Sequence, residues 1–216
     1  MDEKVDIKKG NSQEDANSYV ERRFNRDARM RRLDKFERKF AIYVFALAGD
    51  GCQVVDIPCG SGRFLKIFSR AKRLTMVDLS PAMLQVAKET AEATESFQQI
   101  QFIQADITSI PLPDESADVC FSMRLFHHLP DDETRLSVLR ELARVSKKYI
   151  ALSFYNKDCI RYYMRKLFRK KIRGKYISFS QLVALAENAG LKLIERQPAR
   201  NFIEQQCLVI FEKVTA

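Results

Sequence analysis

The stretch from Val54 to Phe64, Val-Val-Asp-Ile-Pro-Cys-Gly-Ser-Gly-Arg-Phe, leaves this chain few choices of fold. Val54, Val55 and Ile57 are apolar and β-prone, which predicts a buried strand. Asp56 interrupts them near the strand's carboxyl end. Gly60 and Gly62 carry no Cβ, so the backbone can turn sharply and let a ligand come close. A strand, a tight turn and a helix start are the local plan of an open α/β sheet. Ligands there collect outside the carboxyl ends of the strands. An acid at that place can accept hydrogen bonds from a ligand's amine or hydroxyls.

Three cofactor classes use such a turn. A phosphate-binding loop needs Gly-Lys-Ser/Thr, and no lysine follows Gly62. A dinucleotide fingerprint needs a third small residue for close helix–strand packing, and Leu65 stands there. The run Asp56-Ile57-Pro58-Cys59-Gly60-Ser61-Gly62 resembles motif I of the class I S-adenosylmethionine-dependent methyltransferases, which usually reads acid-x-Gly-x-Gly-x-Gly. It departs from the pattern at Pro58, which lacks a donor and fixes φ near −65°. The resemblance implies that Asp56, Pro58, Cys59, Gly60, Ser61, Gly62 and Arg63 lie against S-adenosylmethionine. A strand–turn–helix of purely structural role is the plainer alternative.

Composition bounds the rest. A chain of 216 residues, 46% hydrophobic, suits one α/β domain with a full core and an appended helix. No apolar run approaches the ~20 residues of a membrane span, and Met1-Asp2-Glu3-Lys4 opens no apolar signal core. The five cysteines are scattered and form no C-x-x-C, so they read as reduced thiols of a cytoplasmic protein. They form no zinc site. The net charge of +9 permits nucleic acid, anionic lipid or an acidic substrate and selects none.

Residues 1–15 are polar and read as a flexible terminus. Residues 16–50 read as a helical cap: Val20, Phe24, Leu33, Phe36, Phe40, Val44 and Leu47 recur at three- and four-residue spacing. Basic residues cover the other faces, as on any solvated helix. In small-molecule methyltransferases such helices often cap the cofactor pocket. On that reading Arg23, one turn from Tyr19, holds the cofactor's carboxylate.

Residues 51–216 read as the main domain. A second strand, Arg73 to Ser80, carries Asp78 about 20 residues beyond the glycine turn, placed to take ribose hydroxyls. Asp78 resembles the family's motif II acid, and Leu79 and Met83 follow in a run typical of it. Ser80 caps the next helix with Pro81 in its first turn. A third strand, Ile100 to Ile107, ends in Asp106. The resemblance gives Asp106 and the backbone of Ile107 the adenine; an acid opening a turn is the alternative.

A fourth strand spans Ser116 to Ser122, and the resemblance places Ser122 and Met123 at the cofactor. His127 and His128 are the only histidines. A neutral imidazole can take a proton near pH 7, which makes His127 the candidate general base; bracing the loop is the alternative. A fifth strand covers Tyr149 to Phe154. Then comes a basic insertion over about 157–176, with no acid between Asp158 and Glu187, and with Tyr162, Tyr163, Met164, Leu167 and Phe168 interleaved. It reads as a basic amphipathic helix that contacts solvent, an anionic substrate or membrane surface, or RNA. A helix from Ser178 to Gly190 and two strands, Leu191–Glu195 and Gln206–Glu212, close the chain. Residues 196–201 read as the turn between them.

The resemblance covers roughly Gln53 to Val214. It implies a Rossmann-like seven-stranded mixed α/β sheet of order 3-2-1-4-5-7-6, strand 7 antiparallel, with helices on both faces. It also implies direct in-line methyl transfer to a small-molecule or lipid-like acceptor, without a metal. Nucleic acid is disfavoured, because Ser122-Met123-Arg124-Leu125 lacks the Asn-Pro-Pro-Tyr type of loop used on base amines. A non-catalytic module binding S-adenosylmethionine or S-adenosylhomocysteine, with the basic helix as a partner, membrane or RNA surface, stays open. A nucleotide-dependent oxidoreductase is opposed by Leu65.

Overall fold

The computed structural model describes residues 27–93, 100–172, 174–199 and 203–214. Within them the elements run α1 (Ala28–Ala48), β1 (Gln53–Asp56), α2 (Leu65–Phe68), β2 (Arg73–Asp78), α3 (Pro81–Glu92), β3 (Ile100–Gln104), β4 (Ala117–Ser122), α4 (Asp132–Val145), β5 (Ser146–Tyr155), α5 (Ile160–Leu167), α6 (Phe179–Glu187), β6 (Leu191–Pro198) and β7 (Gln206–Lys213). The seven strands form one sheet of order β3-β2-β1-β4-β5-β7-β6. β1 to β5 run parallel, and β7 lies antiparallel between β5 and β6. This is the sheet expected from the resemblance.

Two apolar layers cover the sheet's faces. Neighbours on a strand point to opposite faces, and Val54 and Val55 duly join different layers. Val55, Ile57 and Val77 pack with Val138, Leu139 and Leu142 of α4 and Leu182 of α6. Val54, Met76 and Phe121 pack with Phe40 and Val44 of α1, Phe68 of α2 and Ala87 of α3. Phe121 meets the rings of Phe64 and Phe68 edge-on, with centroids 4.9 and 5.0 Å away. Each such pair adds about 1 kcal/mol beyond its area burial. They hold the glycine turn and its short helix on the sheet.

Local chemistry sets the helix starts. Asp27 accepts from Met30 N at 2.8 Å and caps α1. Ser80 and Pro81 open α3, and Asp131 caps α4 by accepting from Thr134 N. Ser178 and Gln181 close a capping box on α6.

Several boundaries differ from the sequence reading. The segment 16–26 of the expected cap, with Tyr19 and Arg23, lies outside the described residues, as do residues 1–15. The basic insertion is helical only over Ile160–Leu167. After it the backbone turns at Arg169 (φ 49°) and Gly174 (φ 85°), which a continuing helix does not allow. β5 begins at Ser146, which pairs with Ala117 of β4, and β6 runs on to Pro198 because β7 offers it an antiparallel ladder as far as Cys207. Ladder hydrogen bonds outweigh the turn propensity of residues 196–198.

Candidate active site

The parallel strands bring Asp56, Asp78, Ser122 and Tyr155, each the last residue of its strand, to one edge of the sheet. Asp56 is wholly buried, and among the described residues neither carboxylate oxygen has a hydrogen-bond partner. Burial pushes its carboxyl well above the ordinary range; nearby Arg63 pulls down and Asp78 pushes up. Ser122 Oγ, also buried, has no partner among the described residues either.

Asp78 straps the glycine turn to β2. Its Oδ2 accepts from Gly60 N at 2.8 Å, and its Oδ1 from Ser80 N at 2.9 Å. Burial still raises its carboxyl, against those donors. Gly60 has φ 54°, and a Cβ there would point into open space. The turn thus keeps an uncluttered surface beside a buried acid. Gly62 is glycine for another reason: at φ 75° a Cβ would come 3.3 Å from Met76 Cε, between α3 and the sheet. Cys59 is buried and its thiol is pushed far up by burial, which makes it inert packing. Pro58 and Ser61 complete the turn, and the Ser61 carbonyl accepts from Thr90 Oγ1 at 3.3 Å.

Arg63 does not reach outward. Its two terminal nitrogens donate to Asp34 Oδ1 at 2.7 Å and Glu37 Oε2 at 2.6 Å on α1. Glu37 is completely buried and also accepts from Arg124 Nε and Gln206 Nε2. Asp34 feels a burial penalty that the guanidiniums of Arg38 and Arg63 overcome, so its carboxyl lies below the usual range. These residues clamp α1 over the glycine turn and the end of β4. Asp34, Glu37, Arg124 and Gln206 were missed in the sequence. The available sign was an acid, Glu37, inside the apolar stripe of α1.

The remaining expected residues fall around this edge. Leu79 is 40% exposed, and Met83 packs on Ala82 and Val86 at the start of α3. Asp106 is exposed and its Oδ1 accepts from Thr108 N and Oγ1, so it does open a turn; Ile107 beside it is half-buried. Met123 is buried in the core layer rather than displayed. Arg124 N donates to Ser153 Oγ at 2.6 Å. His127 is buried, stacked on the Tyr155 ring at 4.0 Å and 14°, with His128 4.1 Å away. Beside these rings lies a cavity of about 300 Å³.

The comparisons agree with this fold. A family model described as a methyltransferase domain matches residues 54–149. The malonyl-[acyl-carrier protein] O-methyltransferase of Serratia marcescens is 35% identical over 95 residues, which are 44% of this chain and 35% of that protein. The chain therefore spans about a third of that relative's length. The demethylmenaquinone methyltransferase of Bacillus licheniformis is 28% identical over 180 residues, covering 68% of this chain and 74% of it. Among solved structures, magnesium protoporphyrin IX methyltransferase from Synechocystis, with bound S-adenosylhomocysteine, superposes with a TM-score of 0.70 at 15% identity, over 90% of this chain and 87% of that one.

Proposed function

We propose that this chain is a class I S-adenosylmethionine-dependent methyltransferase and that it transfers a methyl group to a small-molecule or lipid-like acceptor at the carboxyl edge of its sheet. The observation that carries this is Asp56. A fully buried carboxyl with both oxygens unpartnered is costly by itself. A cationic ligand relieves that cost, and S-adenosylmethionine carries both an ammonium and a sulfonium. The donor set fits the group.

When bound, that cofactor supplies an electrophilic methyl whose leaving group is a neutral thioether. Asp56 gives the cation an anionic partner, and Asp78 offers its remaining lone pairs to ribose hydroxyls. Gly60 and Ser61 let the backbone approach, with Pro58, Cys59, Gly62 and Arg63 shaping the turn. Leu79, Met83, Asp106 and Ile107 flank the adenosyl side, and Ser122 and Met123 the methyl side. Arg23 stays a candidate for the cofactor's carboxylate. Most of the acceleration comes from holding the acceptor in line with the methyl. His127 braces the acceptor loop through its stack on Tyr155.

Calorimetric titration with S-adenosylmethionine and S-adenosylhomocysteine tests this. Saturable binding by the wild type, lost in Asp78→Ala, is the expected result; no binding by the folded wild type overturns it. Labelled-methyl transfer across an acceptor panel then separates an enzyme from a non-catalytic binding module.

A peripheral contact with anionic membranes belongs to the same reading. Ile160, Tyr163, Met164, Leu167 and Phe168 recur at helical spacing on α5 and immediately after it, all exposed, with Leu167 73% accessible. Arg165, Lys166, Arg169, Lys170 and Lys171 flank them. An apolar stripe bordered by cations suits an anionic bilayer surface. Among the described residues no helix is long and apolar enough to cross a membrane. Co-sedimentation with phosphatidylserine vesicles, weakened by Leu167→Glu and absent with neutral vesicles, is the expected outcome; equal sedimentation with both would refute the contact.

A further inference from the structure

The cavity beside His127 has a chemistry that neither the cofactor turn nor the family resemblance requires. Arg29 of α1 and Arg161 and Arg165 of α5 line it, and among the described residues the lining includes no carboxylate. Glu204, just behind, accepts from Arg29 Nη2 at 2.6 Å and Nε at 2.9 Å, and lies 3.7 Å from Arg161 Nη1. Glu204 thus serves two of the three guanidiniums, Arg29 and Arg161. Arg165 Nη1 donates to the Lys171 carbonyl, which neutralises no charge. The excess is cationic and comes from the residue type best shaped for carboxylate and phosphate.

The opposite wall is aromatic. Tyr155 stacks on His127, and Tyr176 lies 5.4 Å from Tyr155, held by its hydroxyl donating to Gln205 Oε1 at 2.6 Å. The segment after α5 closes over these rings. Lys175 N donates to the His127 carbonyl at 2.8 Å. A Cβ on Gly174, at φ 85°, would stand 3.2 Å from the Tyr155 ring, so only glycine lets the chain cross there. The basic insertion is therefore a wall and roof of the cavity. His127 follows β4 and Tyr155 ends β5, at the carboxyl edge that also carries the glycine turn.

We propose that this cavity is the acceptor subsite, and that it selects a flat, conjugated molecule bearing one anionic oxyacid group, carboxylate or phosphate. The ring packs on the aromatic wall beside Tyr155 and Tyr176, and the anion sits between Arg161 and Arg165. At about 300 Å³ the space is at the small end of ligand sites. Placing the acceptor here rests on the methyltransferase reading; the anion selectivity stands on the arginines and rings alone.

The test uses the full chain and three probes of one ring system: 2-naphthoate, 2-naphthyl phosphate and neutral 2-naphthamide, titrated by calorimetry and ligand-observed NMR. At least one anion binds saturably and the amide at least tenfold more weakly. The double variant Arg161→Gln/Arg165→Gln loses about tenfold or more for the anion. Lys39→Gln/Lys192→Gln, which removes the same charge from exposed sites elsewhere, changes nothing. Whichever anion is preferred separates a free carboxylic acid from a phosphate-bearing headgroup as the source. Tyr155→Leu is the second variant should the arginine pair fail to fold, and it weakens all three probes. Equal affinity for the three probes, or unaltered anion affinity in a folded arginine variant, overturns the proposal. S-adenosylhomocysteine is titrated on the same samples. Cofactor binding without anion selectivity sinks this proposal alone; anion selectivity without cofactor binding supports the anion site and sinks the reading it builds on.

Discussion

Glu37, wholly buried on α1, accepts from Arg124 Nε at 2.8 Å through one oxygen and 3.0 Å through the other, across 87 positions of sequence. Arg63 adds a third contact to the same carboxylate. One acid thus ties the cap helix to the glycine turn and to the end of β4. Removing one member of a buried ion pair costs about 3–5 kcal/mol, because the partner charges stay behind. Glu37→Ala is expected to lower urea stability by that order, and to open α1 to limited proteolysis before the sheet unfolds. Unchanged stability and cleavage would show that α1 is held by Phe40 and Val44 alone.

Gly60 needs its left-handed φ but has open space where a Cβ would go. Gly60→Ala should therefore cost about 1–2 kcal/mol from backbone strain. Gly60→Asn should recover much of that stability, since asparagine tolerates the conformation. Neither should recover cofactor affinity if the open space is the cofactor's. Calorimetry beside urea melts separates the two effects, and full affinity in Gly60→Asn would place the cofactor elsewhere.

Asp56 predicts a pH dependence. Its folded carboxyl titrates above the ordinary 3.8, so in the window above that value the folded state binds more protons than the unfolded one. Stability then falls as pH rises through this window, and the loss is complete above the folded value. Asp56→Asn removes the slope and is expected to be more stable than wild type near neutral pH without ligand. It should also weaken the preference for S-adenosylmethionine over neutral adenosine. Parallel stability curves for the two proteins, measured from about pH 4 to 8, would remove Asp56 as an unrelieved buried acid.

His127 lies flat against Tyr155. His127→Phe keeps a ring in that stack and is expected to keep methyl transfer within about tenfold once an acceptor is known. A base role would instead cost about 10²–10⁴-fold, with cofactor affinity intact and the acid limb of the pH–rate profile gone.

Much of the fold was legible along the chain because its cues are local. Val54, Val55 and Ile57 ahead of Gly60 and Gly62 imposed a strand and a tight turn. Ser80-Pro81 and Ser178 marked helix starts where caps were found. Asp56 and Asp78 were placed at strand ends by the apolar runs before them, and Asp106 by the alternation from Ile100, although β3 itself ends at Gln104. Asp56 and Asp78 gathered at one edge because parallel strands bring their carboxyl ends together. The length of β6 and the end of α5 were not legible. The first depends on the ladder with β7, and the second on a crossing over Tyr155 that only Gly174 permits. The clamp of Glu37 on Arg63 and Arg124, and the meeting of Arg29, Arg161 and Arg165 around one cavity, came only with tertiary structure. Apart from Arg161 and Arg165 on one helix, those groups are separated by tens of residues, and their charges were indistinguishable from a solvated surface until packing removed the water around them.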